Sequence, residues 1–362
     1  MAAIRLPALP HWSTAIPVAA IVALIAAWGR TPTIWLLLLV AAALIAAVVT
    51  AVHHAEVVAH RVGEPFGSLV LAVAVTVIEV SLVVSMMLTG GASAAALARD
   101  TVFAAVMIVS TGVIGVCLLV GGLRHHVIAF RVEGTSPALA TLAALVTLTL
   151  VLPTYTTSTP GPTFSTSQLV FAGAVSLALY GVFVFVQTVR HRDYFLPADV
   201  GNEAAHAPPA TTRAALISMG LLLVCLIAVV GLAKALSPSI EAAVHAAKAP
   251  EAVVGIAIAL LVLLPESWAA LRAAAANRVQ TSLNLALGSA LASIGLTIPA
   301  VAAVSIFLGL RLELGLPAKE VILLALTAIV ATLTLGGGRA TVLQGAVHLT
   351  LFAVFLFLAV VP

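Results

Sequence analysis

The chain has 362 residues, 62% of them hydrophobic and only 8% charged, whereas soluble domains carry about a quarter charged residues. Its formal net charge of +3 comes from a handful of arginines near helix ends and gives no reason to expect nucleic acid as a partner. Long apolar runs recur from end to end without the short alternating segments of a membrane barrel, which predicts an all-α polytopic membrane protein with the lipid bilayer as its partner.

In chain order, eleven apolar runs are long enough to span a bilayer. They cover residues 12–29, 33–52, 65–89, 101–122, 136–152, 165–188, 213–236, 250–273, 281–308, 318–336 and 340–361. The first follows Arg5 with no clean small-residue cleavage site after it, so it reads as a retained span rather than a signal peptide. Cys117 and Cys225 fall inside apolar runs and read as small core residues rather than a disulfide.

The positive-inside rule orients the chain. Ten arginines fall at the N-terminus and in the loops after even-numbered spans, against six Arg and Lys on the other side. The N-terminus is therefore expected in the cytoplasm and the C-terminus outside, in a bacterial-type inner membrane. The longest connection, "HRDYFLPADVGNEAAHAPPATT", reads as a flexible cytoplasmic linker.

Two internal matches indicate a duplication. "VFAGAVSLALYGVFVF" in span 6 and "VLQGAVHLTLFAVFLF" in span 11 agree at nine of sixteen positions. "AEVVAH" before span 3 and "IEAAVH" before span 8 share Glu-x-x-x-His, and a glutamate follows each at similar distance, Glu79 after Glu56 and Glu266 after Glu241. Both matches pair spans five apart, and an odd offset reverses the direction of crossing. The expected plan is an extra helix in 1–30, a first inverted half in 31–190, the linker in 191–212 and a second inverted half in 213–362. Such 5+5 repeats characterise secondary transporters, with ion sites near the midplane.

Glu79 and Glu266 lie well inside spans 3 and 8, while every Arg and Lys lies at a predicted span end. A charged side chain at the bilayer centre costs about 2.5–3.5 kcal/mol on insertion scales, so each carboxylate is expected to hold a proton or a cation. Through the repeat the two are expected to work as a pair, and two facing carboxylates in low dielectric do not both stay ionised and empty.

Calcium takes about six to eight oxygens, so further ligands are needed. Pro265 has no N–H to give the carbonyl of Leu261, which frees that oxygen. Ser289, Ser293 and Thr297 form a stripe along span 9, and Ser110 and Thr111 stand in span 4. Serine and threonine in membrane helices also bond their own backbone, which is the plainer reading.

His348, with Gln344 on the same face, is the other ionisable residue well inside a span, and reads either as a hydrogen-bonded core histidine or as a proton carrier. "HHAEVVAHRVGEP" lacks the His-Glu-x-x-His zinc arrangement. His53, Glu56 and His60 share a helical face, which reads as a hydrated interfacial cluster or as a cation and proton entry point. Glu241 and His245 would mirror it outside. Pro65 after Glu64 is an ordinary helix start.

These residues resemble the calcium/cation antiporter superfamily, nearest to its bacterial Cha-type Ca2+/H+ and Na+/H+ branch. The likeness rests on "HHAEVVAHRVGEPFGSLVLAVAVTVIEVSL", "LLPESWAALRAAAANRVQTSLNLALGSALASIGLTIPAV" and "GRATVLQGAVHLTLFA". It implies eleven helices, with the two halves as sodium/calcium exchanger membrane regions. It implies Glu79 and Glu266 as the cation-binding carboxylates, Asn284, Gly288 and Ser289 as part of the second repeat's signature, and Glu56 and Glu241 as access-path acids. Many relatives read Gly-Asn-Ala-x-Glu around each carboxylate, where this chain has "VTVIE" and "LLPE".

The expected function is a secondary cation/proton antiporter with no cofactor, exchanging Ca2+ for H+ by alternating access. The alternatives are Na+/H+ or K+/H+ exchange at the same site, an intramembrane enzyme, or a passive channel. The sequence leaves oligomeric state open.

Overall fold

A computed structural model describes residues 11–29, 33–63, 66–90, 93–195, 211–247, 250 and 252–361. A helical run lies over each apolar stretch: α1 His11–Ala27, α2 Ile34–Val62, α3 Phe66–Gly90, α4 Leu97–His125, α5 Val132–Tyr155, α6 Thr166–Arg190, α7 Thr212–Ala247, α8 Ala252–Ala275, α9 Val279–Leu308, α10 Ala318–Leu335 and α11 Val342–Val360. Among the described residues, nine helices are long and apolar enough to cross a membrane, and His11–Ala27 and Ala72–Leu88 are shorter apolar helices. Helices satisfy every backbone polar group within the segment, which hydrocarbon demands.

Three of the runs loosen into π-helical turns, at Ile108–Val113 in α4, Thr147–Val151 in α5 and Val186–Arg190 in α6. Each carries a threonine whose hydroxyl donates to the carbonyl four residues back: Thr111 to Met107, Thr149 to Leu145 and Thr188 to Val184. Side-chain donors of this kind cover carbonyls that a widened turn presents.

The chain divides into two compact units that do not follow the order of the sequence. The first takes Met1–Ser85 and Ala205–Ser239; the second takes Met86–Ala204 and Ile240–Pro362.

In the first unit α1 packs on α2. His54 of α2 is fully buried, with Nε2 2.8 Å from the Ser13 carbonyl and Nδ1 3.2 Å from the Ser218 hydroxyl of α7. Gly231 lets α7 approach α1, since a Cβ there would stand 2.5 Å from a Leu24 methyl.

In the second unit α9 packs against α4, α5, α6 and α8, and α11 against α4. The α4–α11 seam depends on glycine. A Cβ on Gly122 would lie 2.8 Å from the Val342 nitrogen, and one on Gly345 2.6 Å from the Leu119 nitrogen. Small residues that let backbones approach are the usual device for helix association in lipid.

Connections sort by parity at the two ends of this unit. Strand β1, Ile128–Ala129 after α4, pairs antiparallel with β2, Arg339–Ala340 after α10. At the same end Arg131 donates to the Asp193 carbonyl at 2.7 Å, and Gln280 Oε1 accepts from the Arg131 amide at 2.7 Å, which brings in the connections after α6 and α8. At the opposite end Glu313 N–H reaches the Ala95 carbonyl at 3.0 Å and Gly315 N–H the Pro162 carbonyl at 2.9 Å. Among the described residues, the connections after α4, α6, α8 and α10 thus share one end and those after α3, α5 and α9 the other.

Candidate functional site

Glu79 stands in the middle of α3 and is 2% exposed, with buried Ile78 and Val83 beside it. It belongs to the first unit. Glu266 belongs to the second, on α8, and is partly buried. Val262, Leu263 and Ala270, one turn to either side of Glu266, are all buried, so the carboxylate rides on the packed face of its helix. Pro265 does not end α8, which runs on to Ala275. Lacking an N–H, it still leaves the Leu261 carbonyl without its usual helical donor.

The hydroxyl stripe lies on α9. Ser293 and Thr297 are buried and Ser289 is partly exposed. No described atom lies within 4 Å of a Cβ built on Gly288, so the helix beside Ser289 faces open space.

Ser110 and Thr111 fall inside the buried π turn of α4. The Thr111 hydroxyl is spent on its own helix, as the plainer reading of membrane hydroxyls expects. Ser110 lines a crevice of about 180 Å³ with Thr147 of α5 and Thr327 of α10. The Ser110 carbonyl accepts from His348 Nδ1 at 2.8 Å, and His348 Nε2 lies 3.2 Å from the Thr334 hydroxyl. His348 is fully buried and has a partner at each ring nitrogen, the geometry of a core histidine. Gln344 is not one of those partners; its Oε1 accepts from the Thr341 amide and hydroxyl and caps α11.

Asn284 is committed elsewhere. Its Nδ2 donates to the Phe195 carbonyl, and its Oδ1 accepts from Gln280 Nε2 at 3.0 Å. That places it at the end of α9 beside the connection after α6. Glu56 and His60 are exposed near the end of α2. Glu241 and His245 fall on α7, and their side chains lie outside the described residues, as do Glu64 and Pro65. Both cysteines are buried free thiols. Among the described residues no three His, Cys, Asp or Glu side chains gather as a resident metal centre requires.

Two features carry no signal in the sequence. The helical face points to His53, whereas its neighbour His54 makes the buried bridge. The other is a charged cluster in which Arg99 Nε donates to Asp100 Oδ1 at 2.7 Å. Asp100, Lys319 and Glu320 line one small cavity there. Residues at span ends read as interfacial, so neither carried a distinguishing signal.

The sequence profile for the sodium/calcium exchanger protein family matches residues 32–189 and 217–361. The chain belongs to the sodium/calcium exchanger protein family. Members of the family are secondary transporters, so this multi-pass membrane protein is an ion exchanger and not an enzyme. It is 51% identical to y4hA of Sinorhizobium fredii, named provisionally as an ionic transporter, over 99% of this chain and 98% of that one. It is 36% identical to the sodium-potassium/proton antiporter ChaA of Escherichia coli, over 94% of this chain and 93% of that one. Among solved structures, native YfkE superposes with a TM-score of 0.71 at 16% identity, covering 97% of this chain and 99% of that one. The H+/Ca2+ exchanger CAX superposes with a TM-score of 0.68 at 17% identity, covering 95% and 87%. At these identities the likeness to the solved structures is one of fold.

Proposed function

We propose that this exchanger moves Ca2+ outward against H+ across a bacterial inner membrane, with Glu79 and Glu266 carrying the cation and the protons in turn. The observation that carries the reading is the burial of Glu79, 2% exposed at the centre of an apolar helix. A carboxylate placed there is tolerated when a proton or a cation neutralises it. The sequence repeat matches Glu266 to Glu79 and supports giving both the same duty.

The exchange rule follows from electrostatics. Two ionised, empty carboxylates in low dielectric are costly, so the protein changes face only when loaded with cation or with protons. Two carboxylates balance one Ca2+ or two protons, which makes the exchange electroneutral at the carboxylates. The arginine bias puts the N-terminus in the cytoplasm and the C-terminus outside.

A second reading, Na+ or K+ in place of Ca2+, is favoured by one observation: the ChaA relative is named for sodium and potassium. Everted vesicles holding the protein, energised and loaded with a pH-sensitive dye, separate the two. Collapse of the pH gradient on adding Ca2+, with weaker responses to Na+ and K+, is expected. The reverse ranking moves the function to the second reading. Full exchange in both Glu79→Gln and Glu266→Gln would sink the carboxylate assignment.

A further inference from the structure

The π turn at Ile108–Val113 is buried throughout and sits halfway along α4. Five helices meet it or continue from it: α4 itself, α8, α9, α10 and α11. Its mark is visible in the backbone. The Ile114 N–H, which in a regular α-helix would reach the Ser110 carbonyl, is instead directed to Val109 and Thr111. A carbonyl displaced from its helical donor in the membrane interior needs another donor.

His348 supplies that donor from α11. A carbonyl oxygen only accepts, so the 2.8 Å contact puts the ring proton on Nδ1. Nε2 is then an acceptor for the Thr334 hydroxyl at 3.2 Å. Both ring nitrogens are satisfied in the neutral form, and the ring ties α11 to α10 and to the turn. The approach is close: a Cβ on Gly115 would stand 3.1 Å from His348 Cβ, and one on Gly112 3.3 Å from the Phe352 ring. Larger residues at either glycine would press α11 away from the turn.

We propose that His348 is a positioning residue for ion exchange, holding the displaced Ser110 carbonyl so that the π turn keeps its shape against α8. The proposal rests on the reading that Glu266, on the packed face of α8, carries the transported ions. A turn that relaxed into regular helix would rotate every residue after it, including those that meet α8 and α9. The role requires a hydrogen-bond donor at the Nδ1 position and no titration of the imidazole.

Two amide substitutions separate these requirements. Asparagine places an N–H where the ring has Nδ1; glutamine reaches the Nε2 position and misses the Ser110 carbonyl. Dye-quench exchange with Ca2+ and with Na+ is measured in vesicles for His348→Asn and His348→Gln, each checked for folded protein by size-exclusion. His348→Asn is expected to keep a half-saturating cation concentration within about threefold of the parent, with an unshifted pH profile. In His348→Gln the concentration should rise about tenfold or more, the size of effect that an unpaired buried carbonyl produces. Equal behaviour of the two variants, or a displaced pH profile in His348→Asn, overturns the proposal. Glu266→Gln run alongside keeps the readings apart. Normal exchange there removes the glutamate assignment. Lost exchange there, with equal behaviour of the two His348 variants, removes only the role of His348.

Discussion

Gly255 of α8 lies directly against Asp100 of α4: a Cβ built on the glycine would stand 2.9 Å from the Asp100 carbonyl carbon and 3.0 Å from its Cβ. Gly255→Val is expected to destabilise the protein by about 1–3 kcal/mol through overpacking, lowering its unfolding temperature in detergent. Gly181 of α6 is the control, because nothing lies within 4 Å of a Cβ there. Gly181→Ala should leave the unfolding temperature unchanged or raise it.

Arg99 also holds Asp100. Its Nε donates to Asp100 Oδ1 at 2.7 Å and its Nη1 to the Gly315 carbonyl at 3.3 Å, while the Asp100 side chain is 6% exposed. Arg99→Ala removes the hydrogen-bonded counter-charge of a buried carboxylate, leaving Lys319 as the remaining cation acting on it, and is expected to cost about 3 kcal/mol. Arg99→Ala combined with Asp100→Asn should cost less than Arg99→Ala alone. Additive losses in the double-mutant cycle would show that the pair is not coupled.

Asn284 separates support from ion binding. With its amide engaged by Phe195 and Gln280, Asn284→Ala is expected to lose about 1–2 kcal/mol of stability and to keep the parental half-saturation for the cation. Loss of exchange at unchanged unfolding temperature would instead place Asn284 among the ligands.

Cation binding to the folded protein should show as stabilisation. At a hundredfold excess over its dissociation constant, Ca2+ is expected to add about 2.7 kcal/mol by mass action. The gain should vanish in Glu79→Gln and in Glu266→Gln. Retention of the full thermal shift in either variant would argue that the cation is held elsewhere.

The helices were legible because lipid imposes a simple rule on composition: a run of apolar residues of the right length becomes a helix wherever it stands. Glu79 was legible for the same reason, as a charge in the wrong solvent. The π turn in α4 was not, since the β-branched residues and glycine of "IVSTGV" lower helix propensity without specifying a π turn; its shape is read from contacts with α11, more than two hundred residues on. The partner of Asn284, the Phe195 carbonyl, is likewise a backbone atom supplied by distant chain. His53 and His54 could not be ranked by periodicity, because adjacent helical residues differ by about 100° and the face that α1 and α7 cover is not written in α2 alone. The glycines at 112, 115, 122, 255 and 345 reveal their purpose only with the opposing helix in place.

The division into units carries a consequence for biosynthesis. The first unit takes residues up to Ser85 and then waits for Ala205–Ser239, while the second begins at Met86 and is completed at the far end of the chain. During translation, α1, α2 and most of α3 therefore enter the bilayer with one flank unfinished. They keep it so while α4, α5 and α6 are made and inserted. His54 meets Ser218 only when α7 emerges. Until then the three-helix intermediate lacks the α7 partners of His54 and Leu24.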